Sequence, residues 1–179
     1  MRRSLIAVLL VLASMSVAPA PPAVADDPGP TVILGPPPFA GPDAMIRADG
    51  STTYAGAGTR GGGRIEQTIT QFERAVSDIR ICAHNTHGRM RVEGTSGGRS
   101  FRVKYRVAGR DVTRSIVAGT YRTRQLQDGT CARRIHVVVR LKPWTASDGR
   151  IFRIRAASPA GQRDSVATDV RVVGPFVLP

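Results

Sequence analysis

Beyond residue 89 the apolar residues fall on every second position, and that period belongs to strands with one buried and one wet face. Met90 and Val92 alternate with Arg89, Arg91 and Glu93; Phe101, Val103, Tyr105 and Val107 alternate with Arg102, Lys104 and Arg106. Ile135, Val137, Val139 and Leu141 alternate with Arg134, His136 and Arg140, Phe152 and Ile154 with Arg153 and Arg155, and Val170 and Val172 flank Arg171. Turn signals separate the runs at Gly97-Gly98, Gly109-Arg110-Asp111, Asp128-Gly129, Ser147-Asp148-Gly149 and Pro159-Ala160-Gly161. Only Ile65–Val76 reads as helical at all, and its Thr68-Ile69-Thr70 favours strand. Seven to nine short strands of this kind predict an all-β fold, a two-sheet antiparallel sandwich. The expected core is Ile79, Ile81, Phe101, Val103, Tyr105, Ile135, Val137, Val139, Phe152, Ile154 and Val172. With 41% hydrophobic and 22% charged residues, the chain is neither a disordered polymer nor a membrane bundle. Its 19 Gly and 13 Pro suit a turn-rich fold.

The N-terminus reads as an address. Arg2 and Arg3 precede an apolar run, Leu5–Ala13, and Ala23-Val24-Ala25 is a small-residue cleavage site. The run is far short of the roughly 20 residues that span a bilayer. Ala18-Pro19-Ala20 also fits the cleavage pattern, but Pro21 would follow the cut, so the mature chain is expected to begin at Asp26. Six prolines between Pro28 and Pro42 mark an extended linker. The expected organisation is a signal peptide over 1–25, a Pro/Gly-rich linker over 26–41, a sandwich over 42–173 and a short tail over 174–179. The mature protein is expected to be secreted and not membrane-spanning. No cysteine before Cys82 could carry an N-terminal lipid.

Cys82 and Cys131 are the two cysteines, and export to an oxidising compartment makes an intrachain disulfide the default. Two buried thiols or an intermolecular bridge are the alternatives. Ile79, Ile81 and Ala83 place Cys82 on the face away from the core. A surface staple between neighbouring strands therefore fits better than a bridge through the core.

A series of short motifs runs through the domain: Gly41-Pro42-Asp43-Ala44-Met45-Ile46-Arg47, Gln67-Thr68, Ile79–Asn85, Phe101-Arg102-Val103-Lys104-Tyr105, Asp111-Val112-Thr113, Ala118-Gly119-Thr120-Tyr121-Arg122-Thr123, Leu126 and Asp128-Gly129. The series resembles secreted immunoglobulin-like β-sandwich repeat domains of high-GC Gram-positive bacteria, over about Pro42–Val173. The resemblance implies an immunoglobulin-like sandwich with an adhesive, spacer or surface-module role, and no catalytic residues. This chain has one copy, a cysteine pair and a heavy arginine load.

Three motifs mimic chemistry. Gly56-Ala57-Gly58-Thr59-Arg60-Gly61 satisfies G-x-G-x-x-G, but a dinucleotide site needs a helix N-terminus after it, and a Thr/Ile-rich strand follows. Gly94-Thr95-Ser96-Gly97-Gly98 satisfies G-x-S-x-G, yet a nucleophile elbow needs a helix where Phe101–Val107 is a strand. His84-x-x-His87 could offer zinc two nitrogens, with His136 a distant third on an arginine-flanked face. Turns and solvated histidines are the preferred readings. No catalytic residue, metal or cofactor is expected.

The arginines remain. Lys and Arg number 26 against 13 acids, a net +13, and only Lys104 and Lys142 are lysines. Arg102, Lys104 and Arg106 share one strand face, Arg134 and Arg140 another, and Arg153 and Arg155 a third. If these faces belonged to one sheet they would form a positive plate for phosphate, sulfate or carboxylate. Without interleaved aromatics, sequence-specific nucleic-acid readout is not expected. The leading expectation is a secreted, non-catalytic domain with a structural or surface-interaction role. The alternative is a polyanion module meeting wall phosphate, acidic glycan or anionic lipid; the expected partner is an anionic cell-envelope polymer or a protein.

Overall fold

Ten strands and one short helix make up the described part of the computed structural model, residues 40–59, 62–143, 145 and 148–174. In chain order these are β1 (Gly41–Ala48), β2 (Gly63–Ile69), β3 (Arg74–His84), β4 (Arg91–Gly94), β5 (Phe101–Val107), β6 (Arg110–Asp111), α1 (Thr113–Val117), β7 (Tyr121–Arg122), β8 (Ile135–Leu141), β9 (Gly149–Ala157) and β10 (Arg163–Val172). The expected signal peptide, all but the last two residues of the expected linker, and residues 175–179 lie outside the described residues.

The strands form two five-stranded sheets, β1-β3-β8-β5-β6 and β2-β10-β9-β4-β7. The all-β two-sheet architecture is the one the alternation predicts. Three details differ. First, β2 runs parallel to β10, from Val166 opposite Gly63 to Val172 opposite Ile69. β1 pairs with β3 in the first sheet, and the chain then crosses to the second before β2 begins. A strand that changes sheets is free of the hairpin geometry that enforces antiparallel pairing. Second, β6 and β7 are two residues each and bring the count to ten. Third, the sequence gives no sign of α1. Asp111 accepts the Thr113 N–H at 2.9 Å and turns the chain after β6. Ile116 then plugs the end of the sandwich, fully buried. Gly94 makes room for it: a Cβ there would lie 2.7 Å from Ile116 Cγ2 and 2.9 Å from the Tyr105 ring. Five residues are too few to show a helical period.

The inward faces build one apolar core. Every residue expected there is found there, with Val172 half-buried at its margin. Phe101 of one sheet meets Phe152 of the other edge to face, ring centroids 5.4 Å apart. Polar links also cross between the sheets. The hydroxyls of Ser77 and Thr168 hydrogen-bond at 2.9 Å, and the Gln67 amide both donates to and accepts from the Val76 backbone at 2.9 Å. Such pairs satisfy the polar groups of Ser77, Thr168 and Gln67 where they are taken out of water.

β1 does not alternate, because it is covered on both sides. Its free edge pairs with Ala55, whose N–H donates to Ile46 at 2.7 Å, so the loop after β1 blunts a sheet edge. The same loop carries Tyr54 over the outward side, where it packs with Met45 and Cys82. Cys82 is bonded to Cys131, which sits directly opposite in a lone bridge between Ala83 N–H to Thr130 O and Ala132 N–H to Ile81 O. The disulfide thus joins neighbouring segments on the outward face, as expected, but it is not a surface staple. Cys82 is 1% exposed, because the Tyr54 loop lies over that face.

Candidate functional site

A sandwich of this kind offers ligands its two outward faces and the loops at its ends. On the first sheet, register places Arg47, Asp78, His136, Arg106 and Asp111 in one row across all five strands. Within the row Asp78 lies between Arg47 and His136, and Arg106 between His136 and Asp111. Asp78 accepts Arg47 at 3.1 Å, Arg134 at 3.3 Å and His136 Nδ1 at 3.0 Å. Burial opposes ionisation of Asp78, but its hydrogen bonds from His136 and Arg47, with the Arg134 charge, outweigh it and hold the carboxyl below its usual range. Arg47 also lies 4.9 Å over the Tyr54 ring and Arg80 5.8 Å over it. At the other end of the same face Arg74, Arg140 and Arg102 stand side by side on β3, β8 and β5.

The residues marked as possible anion ligands therefore part company. Arg102, Lys104, Arg106 and Arg140 are on the first sheet, and Arg134 is held by Asp78 beside it. Arg153 and Arg155 point outward from β9, in the second sheet, with Glu93 opposite Arg155. No single plate contains all seven.

The histidines separate too. His136 is directly opposite Asp78, whereas His84 lies six residues further along β3, about 20 Å away at strand rise. His84 Nε2 sits 3.4 Å from Asp43 Oδ2 without the angle of a hydrogen bond. Asp43 is fully buried and accepts the Gly58 N–H at 3.0 Å. Burial raises its pKa, with the Gly58 N–H and His84 pulling the other way. The glycine loop at 56–59 thus serves β1 and needs no nucleotide to explain it. Ser96 is exposed in the loop after β4. Gly97 beside it has a steric role: a Cβ there would fall 2.2 Å from the Phe101 carbonyl oxygen.

Sequence reasoning missed a further place. At one end of the second sheet a cleft of about 590 Å³ is bounded by Arg89, Arg91, Arg122 and Arg163. Arg91 pairs with Arg122 across β4 and β7, and with Ala157 across β4 and β9; Arg163 pairs with Ala157 from the other side. The lining includes Gly88, Ala157 and Pro159, with Pro159 so close to Gly88 that a Cβ there would meet its ring at 2.7 Å. These arginines are scattered through 75 residues of sequence, and only strand pairing gathers them. The outward parity of Arg89 and Arg91 was visible; their neighbours were not.

No protein-family model matches the chain, and no curated protein matches it. Among solved structures it is similar to the N-terminal domain of PorA (TM-score 0.44, 9% identity, 73% of this chain and 98% of that one). It is also similar to BcpA, the major pilin subunit of Bacillus cereus (TM-score 0.39, 11% identity, 74% and 40%). A third likeness is to the VesB protease of Vibrio cholerae (TM-score 0.37, 9% identity, 60% and 30%). With TM-scores below 0.5 these likenesses carry no functional argument.

Proposed function

We propose that the chain works outside the cytoplasm as a non-catalytic β-sandwich with a structural or surface-interaction role, after export and cleavage following Ala25. The observation that carries this reading is the Cys82–Cys131 disulfide, which joins directly opposed residues and closes a separation of 49 residues. A bond of that kind persists in an oxidising compartment and is reduced in most cytosols. Both outward faces are rich in charged side chains while the interior is apolar, the surface of a domain that stays in water and meets partners by charge.

A single positive plate does not support the polyanion alternative, because Arg153 and Arg155 lie on the other sheet from Arg102, Lys104, Arg106 and Arg140. For the non-catalytic reading, the sharpest test is a serine-directed phosphonate probe on the folded chain. No labelling of Ser96 is expected; stoichiometric labelling that unfolding abolishes would overturn it.

A further inference from the structure

We propose that the cleft between the β4–β7 edge and the β9–β10 turn binds an acidic oligosaccharide, a hydroxyl-rich chain bearing carboxylate or sulfate groups. Some arginines of this fold meet a carboxylate and others, such as the directly opposed Arg102 and Arg140, stand on an open strand face with none beside them among the described residues; those of the cleft converge on one concave space. Arg47 and Arg134 share Asp78, Arg64 meets Asp169, and Arg171 meets Glu66. Arg89, Arg91, Arg122 and Arg163 receive no carboxylate among the described residues, and no acidic residue lines the cleft. Arg91 and Arg122 are moreover directly opposite each other on paired strands, an arrangement that like charges make unfavourable. An anion between them converts the repulsion into shared bidentate hydrogen bonding.

Geometry then narrows the ligand. Arg122, Arg91, Ala157 and Arg163 form one row across four strands, β7-β4-β9-β10. Adjacent strands are about 4.8 Å apart, so the row spans about 14 Å, and Ala157 leaves a dip between Arg91 and Arg163. A single small anion would reach one end of that row; a chain with spaced anionic groups reaches both. Gly88, Ala157 and Pro159 in the lining are small and apolar and suit the C–H face of a sugar ring, and the exposed Gln125 adds an amide side chain to the same lining. No aromatic side chain lines the cleft, so nothing there would stack a nucleic-acid base. The volume of about 590 Å³ is in the range of ordinary ligand sites.

The purified, oxidised chain is titrated calorimetrically with a heparin-derived hexasaccharide, and separately with linear polyphosphate, at about 50 and 500 mM NaCl. Expected are one binding event with the hexasaccharide, weaker at high salt, and a loss of about tenfold or more in R91Q/R122Q. R102Q/R140Q, two exposed arginines on the other sheet, is expected to bind within about twofold of the parent. R91Q/R122Q should melt no lower than the parent, since it relieves a like-charge pair, so its binding loss is not misfolding. The proposal is overturned by absent hexasaccharide binding, by equal losses in the two double variants, or by polyphosphate binding as tightly and competitively. The outcome is separable from the proposed function: the disulfide tests the extracellular reading and the serine-directed probe tests the non-catalytic one, and neither involves the cleft.

Discussion

Replacing Asp78 by Asn removes one charge and keeps the side-chain shape, which isolates the electrostatic centre of the first sheet. Asp78 receives Arg47, Arg134 and His136. A hydrogen bond to a charged group contributes about 1.5–3 kcal/mol when sheltered, and an exposed ion pair below about 1 kcal/mol. Arg47 and Asp78 are 15% and 12% exposed, so their pair takes the larger figure; Arg134 and His136, at 40% and 43%, take the smaller. Because Asn retains neutral hydrogen bonds to both guanidinium groups, the expected loss is about 2 kcal/mol. The pH dependence has a definite sign. Asp78 has a depressed carboxyl pKa, so its contribution is complete above the unfolded value near 3.9 and is lost as pH falls through the folded value. Urea unfolding of parent and D78N should therefore give different midpoints at about pH 7 and converge below about pH 4. A neutral-pH difference under about 0.5 kcal/mol, or one that persists unchanged into acid, would refute this reasoning.

Other substitutions probe other parts of the account. C82S/C131S should lose about 4 kcal/mol in urea unfolding, from a chain separation of 49 residues on the loop-entropy view, and equal stability would argue against it. V137D buries an unpaired carboxylate at a residue 1% exposed, costing several kcal/mol; circular dichroism should show no cooperative transition, and a normal melt would contradict the strand assignment. G97A should lose about 2–3 kcal/mol, because the added carbon meets the Phe101 backbone rather than a movable side chain, and an unchanged melting temperature would show that the loop simply shifts.

The alternating strands were legible because each buries one face only, so Val103 and Tyr105 announce an interior and Arg102 and Lys104 a surface. Where a strand is covered twice, that signal vanishes. β1 carries Asp43 at 0% exposure and Met45 at 2%, and nothing in Gly41–Ala48 says that Tyr54 will fold back over it. The same cover buries the Cys82 half of a disulfide expected at the surface, while Cys131 stays half-buried. Asp164 is a second example: its carboxylate accepts the Ala44 N–H at 2.6 Å across 120 residues, a link no local pattern encodes. The arginine cleft was hidden for the related reason that Arg91, Arg122 and Arg163 fall in one row only through the pairing of β4 with β7 and β9 and of β9 with β10. Parity predicts which way a side chain points, and register decides whom it meets.

The central claim, an exported sandwich pinned by one disulfide, is tested most directly by the intact mass of the native protein recovered from culture medium, taken before and after reduction in the presence of an alkylating agent. The account predicts a chain beginning at Asp26 that takes up no alkyl group until it is reduced and then takes up two. A chain recovered from the cytosol with residues 1–25 in place and both thiols alkylated without reduction would contradict it.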